Sequence, residues 1–258
     1  FQYHGEHMDS LGTVLSHEMA RFNKLLDAMT SSLADLQRAI RGEVLLSEEL
    51  DRMYTSMLNN AVPANWEAAA YPSLRPLASW VKDVHARFAF MRTWLRNGQP
   101  RAFWLSGFFF PQGFLTGVLQ NHARKYHVAI DTLAFSFKTL DVDDPDVLPD
   151  ADVPADGVLV YGMYMDSARY NKSTHMIDDS KPGEIYSLWP VVHMIPTKDY
   201  KPNPADYSAP CYKTTTRAGV LSTTGISSSF VIAVDIPTDR APEHWIYCAA
   251  ALMLQLNT

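Results

Sequence analysis

The spacing of apolar positions changes once along this chain. Through about residue 125 it follows the 3.6-residue period of a helix, and from about residue 128 it alternates with the two-residue period of a strand. Leu11, Val14, Leu15, Met19, Phe22, Leu25, Leu26 and Met29 form the first stripe, with Ser10 placed to cap it. A second helix is expected over residues 32–41, burying Leu33, Leu36 and Ile40 and ending on the left-handed residue Gly42. Ser47, followed by Glu48 and Glu49, starts a third, with Leu50, Met53 and Met57 on one face. Residues 62–76 contain three prolines and read as an ordered connector. Pro76 then opens a long helix carrying Leu77, Trp80, Val81, Val84, Phe88, Met91, Trp94 and Leu95, closed by Asn97-Gly98. After a short apolar run at 103–105 and three consecutive phenylalanines, a further helix is expected over 111–125.

Beyond residue 128, residues 132–137 and 158–165 alternate, and 191–195, 211–216, 230–236 and 249–254 are further strand candidates. The last also suits a helix. Pro, Gly, Asp and Ser clusters separate them. The pattern predicts an α+β protein: a helical bundle with long helices over residues 1–127, then a small antiparallel β-barrel or sandwich over 128–258.

The chain of 258 residues is 47% hydrophobic and 19% charged, which fits a folded domain with a substantial core. Its net charge of −6 argues against nucleic acid as a partner. That charge is unevenly distributed. Asp141, Asp143, Asp144, Asp146, Asp150, Asp152 and Asp156 fall within sixteen residues that contain no Lys or Arg. Between Arg75 and Lys125, by contrast, eight basic residues face one acid, Asp83. Arg87, Arg92 and Arg96 lie on the long helix beside Trp94, and Arg92 and Arg96 are one turn apart. The plain reading of this cluster is a solvated helix face; the sharper alternative, because Arg and Trp are enriched at interface hot spots, is a docking surface for an acidic protein partner, with Arg87, Arg92, Trp94 and Arg96 as the candidate docking residues. Cys211 and Cys248 are too few and too distant for a disulfide scaffold or a zinc site and read as reduced thiols of a cytosolic compartment. No apolar stretch approaches the ~18 residues of a membrane span, and no signal peptide is evident. The initial Phe suggests a piece of a longer polypeptide.

Catalytic signatures fail on inspection. Neither G-x-x-x-x-G-K-[ST] nor G-x-G-x-x-G occurs. His17-Glu18 lacks the second His of a zinc-protease helix, and Gly225 to Ser229 departs from a nucleophile elbow at its last position. A serine hydrolase on Ser222 or Ser227 is therefore the weaker alternative. In the aspartate run Pro145 occupies the place of a third calcium ligand, which leaves a solvated loop, or a stand-alone binding module that uses it, as the readings of that segment. No catalytic, cofactor or metal residue is assigned.

The run FWLSGFFFPQGFLTG at 103–117 strongly resembles the C-terminal region of dynein heavy chains, the microtubule motors. The likeness extends to EMARFN at 18–23, Val62-Pro63 with Trp66, YPSLRPL at 71–77, QNHARKY at 120–126 and Ile130-Asp131. It continues through Arg217 with Gly219, LSTTG at 221–225 and HWI at 244–246. Details around Gly117 and residues 123–126 are similar to axonemal, inner-arm heavy chains. Ile226, Ser229, Cys248-Ala249 and Ser167 depart from the family's usual His, Asn, Arg-Gly and Gly. The resemblance implies a helical part followed by a small β-barrel lying against a six-module AAA+ ATPase ring. It also implies a non-catalytic piece without its own cofactor, with ATP and Mg²⁺ bound upstream in the ring. Implied partners are that ring and, indirectly, microtubules and other dynein-arm subunits, in the axoneme of a cilium or flagellum.

Overall fold

A computed structural model describes residues 9–149, 154–217 and 227–257. The first helix, α1 (Ser10–Ile40), is continuous where two helices were expected. The serines that could have capped a new start instead bond back one turn: Ser31 Oγ donates to Asp27 O at 2.8 Å and Ser32 Oγ to Ala28 O at 2.6 Å. Asp9, not Ser10, is the N-cap, its carboxylate accepting from Leu11 N. Gly42 ends the helix at φ +74°, with Glu43 N donating to Arg38 O and Gly42 N to Ala39 O.

Helix α2 (Glu48–Leu58) starts on Ser47 as expected, and a short α3 (Ala64–Ala69) lies within the connector. Helix α4 (Leu77–Asn97) ends at Gly98, and strand β1 (Ala102–Trp104) leads to α5 (Pro111–Tyr126). The strands that follow are β2 (Leu133–Thr139), β3 (Val158–Tyr161), β4 (Met163–Asp166), β5 (Ala168–Asn171), β6 (Met176–Asp179), β7 (Tyr186–Trp189), β8 (Val192–Lys198), β9 (Tyr207–Tyr212) and β10 (Phe230–Ile236). Helix α6 (Pro242–Tyr247) and β11 (Ala251–Met253) complete the order.

Two sheets result, β1-β3-β8-β2 and β10-β9-β11-β4-β7, beside a β5-β6 hairpin. They stack in a sandwich-like α+β arrangement, and among the described residues no barrel closes. The pairing is mixed, because β1 runs parallel to β3 and β11 parallel to β9. The alternating run at 158–165 is two strands rather than one. Gly162 at φ +86° turns the backbone from the first sheet into the second, and a Cβ there would stand 2.4 Å from Trp104 Cδ1. The C-terminal run is a strand whose three residues are buried, held between β9 and β4.

One apolar cluster joins Leu15 and Phe22 of α1, Trp94 of α4 and Phe114 of α5 to Met165, Met194 and Leu252 of the sheets. A second packs Trp66, Tyr71 and Trp80 with Leu25, Leu36 and Met53. Helix α4 contributes to both.

Candidate functional site

Helix α4 presents opposite chemistries on its two faces. Trp80, Val84, Arg87, Met91 and Trp94 follow a four-then-three spacing and all point inward. Arg87 is 3% exposed and Trp94 4%, so two of the four candidate docking residues belong to the interior. Trp94 stands edge-on to Phe103, with ring centroids 5.2 Å apart. Arg87 Nε donates to Asp83 Oδ2 at 2.7 Å, and its guanidinium lies 3.7 Å from the Tyr71 ring centroid. The physical reason is pairing: an acid one turn back and an aromatic face let a cation occupy the apolar stripe.

Asp83 collects further donors. Tyr71 Oη donates at 2.6 Å, Gln255 Nε2 at 3.0 Å and Arg75 Nη1 at 3.3 Å, while Arg75 Nε also donates to Leu256 O. Burial pushes the Tyr71 hydroxyl well above its ordinary pKa, keeping it a donor. This clamp ties the connector, α4 and the C-terminal residues together.

The outward face of α4 carries Lys82, His85, Arg92 and Arg96, all exposed. Lys82, Arg92 and Arg96 form no ion pair with a described residue. The eight-residue basic cluster is thus divided. Arg75 and Arg87 serve Asp83, Arg101 donates to Leu148 O, Arg124 to Ser10 Oγ and Lys125 to Asp156. What remains without an ion pair among the described residues is the row Lys82, Arg92 and Arg96, with Arg92 Cζ 5.9 Å from the Phe88 ring centroid.

Four of the five described aspartates of the acidic run, Asp141, Asp143, Asp144 and Asp156, are likewise engaged at home. Asp141 accepts from Tyr170 Oη and pairs with His175, Asp143 pairs with Lys172, and Asp144 caps a 3₁₀ turn at residues 145–147. The hydrogen bonds of Lys125 and Tyr126 hold the Asp156 carboxyl below its usual range. Asp150 and Asp152 lie outside the described residues. Among the described residues, no group of three or more His, Cys, Asp or Glu side chains is placed to hold a metal ion. Ser227 Oγ donates to the Arg217 carbonyl and accepts from Ser229 N, with no histidine bonded to it among the described residues, and Ser222 lies outside them. No described helix is long and apolar enough to cross a membrane.

Sequence reasoning missed Glu18. Its carboxylate, 1% exposed, accepts from Phe109 N at 2.6 Å and Phe110 N at 3.1 Å and pairs with Arg21 at 2.9 Å. From a helix some ninety residues away in sequence it fixes the two residues that lead into α5. Burial raises its pKa, outweighing the two amides and Arg21. The available signal was negative: three phenylalanines precede Pro111, and none can cap a helix.

Residues 1–254 match a family model described as the C-terminal domain of the dynein heavy chain. Over 97% of its length this protein is 47% identical to dynein axonemal heavy chain 6 of Homo sapiens, of which it spans 6%. Dynein axonemal heavy chain 1 of Rattus norvegicus is 46% identical over 96% of the present sequence and 6% of its own length. Dynein axonemal heavy chain 12 of Homo sapiens is 40% identical over 99% of the present sequence and 8% of its own. The present sequence therefore spans less than a tenth of each of these relatives.

Proposed function

We propose, because this protein belongs to the family of dynein heavy-chain domains found at the motor's C-terminus, that it packs on the AAA+ ring of an axonemal motor and modulates how ATP hydrolysis becomes movement. The domain itself is non-catalytic, and the nucleotide is bound and hydrolysed in ring modules upstream. Its place is the axoneme, where the microtubule and the other subunits of the dynein arm are indirect partners.

The observation that carries this reading is the unpaired cationic row of α4. Lys82, Arg92 and Arg96 are held in line by a helix whose opposite face is fixed in two apolar clusters. A stiff helix can transmit a contact, whereas a flexible loop would absorb it. Exposed ion pairs contribute about 0–1 kcal/mol each. Three of them together reach the roughly 1–3 kcal/mol that suffices for a modulatory coupling. The domain need only bind some ring conformations better than others to shift their populations.

The test is charge reversal of Lys82, Arg92 and Arg96 to Glu in the intact motor. Altered ATPase rate, gliding velocity or run length, with the salt dependence of those properties reduced, is the expected result. If all three stay at the wild-type value, the row does not dock.

A further inference from the structure

The outward face of α4 carries an apolar row beside its cations. Val81 is 42% exposed, Leu95 is 43% exposed and Phe88, midway between them in sequence, is half-buried. Seven residues make almost two helical turns, so each step of the row drifts only about 20° around the axis. The three side chains therefore stand in line over about 21 Å. Among the described residues none of the three joins an apolar cluster, whereas Val84 and Met91 of the same helix are core residues. Apolar side chains scattered singly over a surface are ordinary. Three aligned along one edge of a helix form a seam that nothing described here covers.

Charge marks the flank of that seam. Lys82 follows Val81 and Arg96 follows Leu95, while Arg92 stands one turn beyond Phe88 with its guanidinium beside that ring. Asp83, the one acid of α4, is turned inward onto Arg87. Helix α1 packs on α4, but its Glu18 is held by Arg21 and its Asp35 by Arg38. Asp27 of α1 forms no ion pair with an α4 cation among the described residues.

We propose that this edge of α4 pairs with one amphipathic helix from outside residues 1–258 of the same heavy chain. Its apolar residues would meet Val81, Phe88 and Leu95, and its acidic flank Lys82, Arg92 and Arg96. A helix fits because its own seven-residue repeat keeps pace with the row when the two axes cross at about 20°. A strand advances about 3.3 Å per residue, so about three of its residues span each step of the row. Its successive contacts would then come from opposite faces. Since the present sequence spans only 6% to 8% of its relatives, the rest of the heavy chain is the partner at high effective concentration. The inference rests on the ring-packing reading and specifies the form of the partner at the same face.

Photo-crosslinking in the intact motor tests it, with p-benzoylphenylalanine replacing Val81, Phe88 or Leu95 in turn. Mass spectrometry is expected to find the three adducts in one segment outside residues 1–258, about seven residues apart at each step. An Asp or Glu three or four positions from at least two of them is also expected. Phe88→Asp should lower the adduct yield from positions 81 and 95 about tenfold, and Phe88→Leu should leave it unchanged. Adducts about three residues apart, adducts in unrelated segments, or a partner segment without those acids would overturn the proposal. So would adducts confined to residues 1–258 of the same or a second copy, or a yield unmoved by Phe88→Asp. If the adducts lack the helical step while charge reversal of Lys82, Arg92 and Arg96 alters the motor, this inference fails and the ring-packing reading stands. If no adduct leaves residues 1–258 and the charge reversal is silent, both fail.

Discussion

The two faces of α4 carry the same kind of residue to opposite ends. Arg87 and Arg92 are five positions apart on one helix, yet the first is buried against Asp83 and Tyr71 and the second faces solvent with no described acid paired to it. A charge in the interior is tolerated only when its partners are complete, so Arg87 is bound to one geometry. A charge at the surface contributes little to folding and is available to another molecule. Basic residues therefore cannot be summed into one surface, and three of eight form the outward row.

The largest expected effect comes from breaking the inner face. Asp83→Ala leaves Arg87 buried without its carboxylate and removes the acceptor of Tyr71, Gln255 and Arg75. A loss of about 3–5 kcal/mol in urea unfolding is expected. The double variant Asp83→Leu with Arg87→Met should lose less than this single change, since it does not strand the buried Arg87 charge, while the partly exposed Arg75 keeps the Leu256 carbonyl. Tyr71→Phe removes one donor of several and should cost about 1–2 kcal/mol by the same measurement.

Glu18 sharpens the comparison through pH. Its folded pKa lies above the unfolded value, so the stability it contributes is complete below the unfolded pKa and is lost as pH rises through the raised folded pKa. Stability of the native protein relative to Glu18→Gln should therefore fall between pH 4.5 and neutrality. A difference that is flat over this window, or that rises, would contradict the assignment. The smallest effect belongs to the outer face. Replacing Lys82, Arg92 and Arg96 with Ala should shift unfolding by no more than about 0.5 kcal/mol per site.

Local signals made much of this architecture legible. The spacing of Trp80, Val84, Met91 and Trp94 located α4, and Ser47 located α2, because caps and stripes act within one or two turns. The strand Phe230–Ile236 matches the expected range for the same reason. Failures arise where distant groups decide. Gly162 divides an alternating run because the Trp104 ring, from another strand, occupies the space beside it. Strands β5, β6 and β7 carry only weak alternation and owe their form to pairing partners. Arg87 was legible in principle, since position 87 continues the buried stripe and Asp83 stands one turn before it, yet its charge suggested the surface. Glu18 was not, because the amides it binds, those of Phe109 and Phe110, lie in a remote segment.

The claim that the outer face of α4 packs on the ring is tested most directly by arginine modification with a glyoxal reagent in the intact motor. Arg87 serves as the buried control. Arg92 and Arg96, exposed in this domain, should be protected in the assembled motor, to a degree that changes between nucleotide states. Rapid modification of both in every nucleotide state, with Arg87 still protected, would contradict the claim.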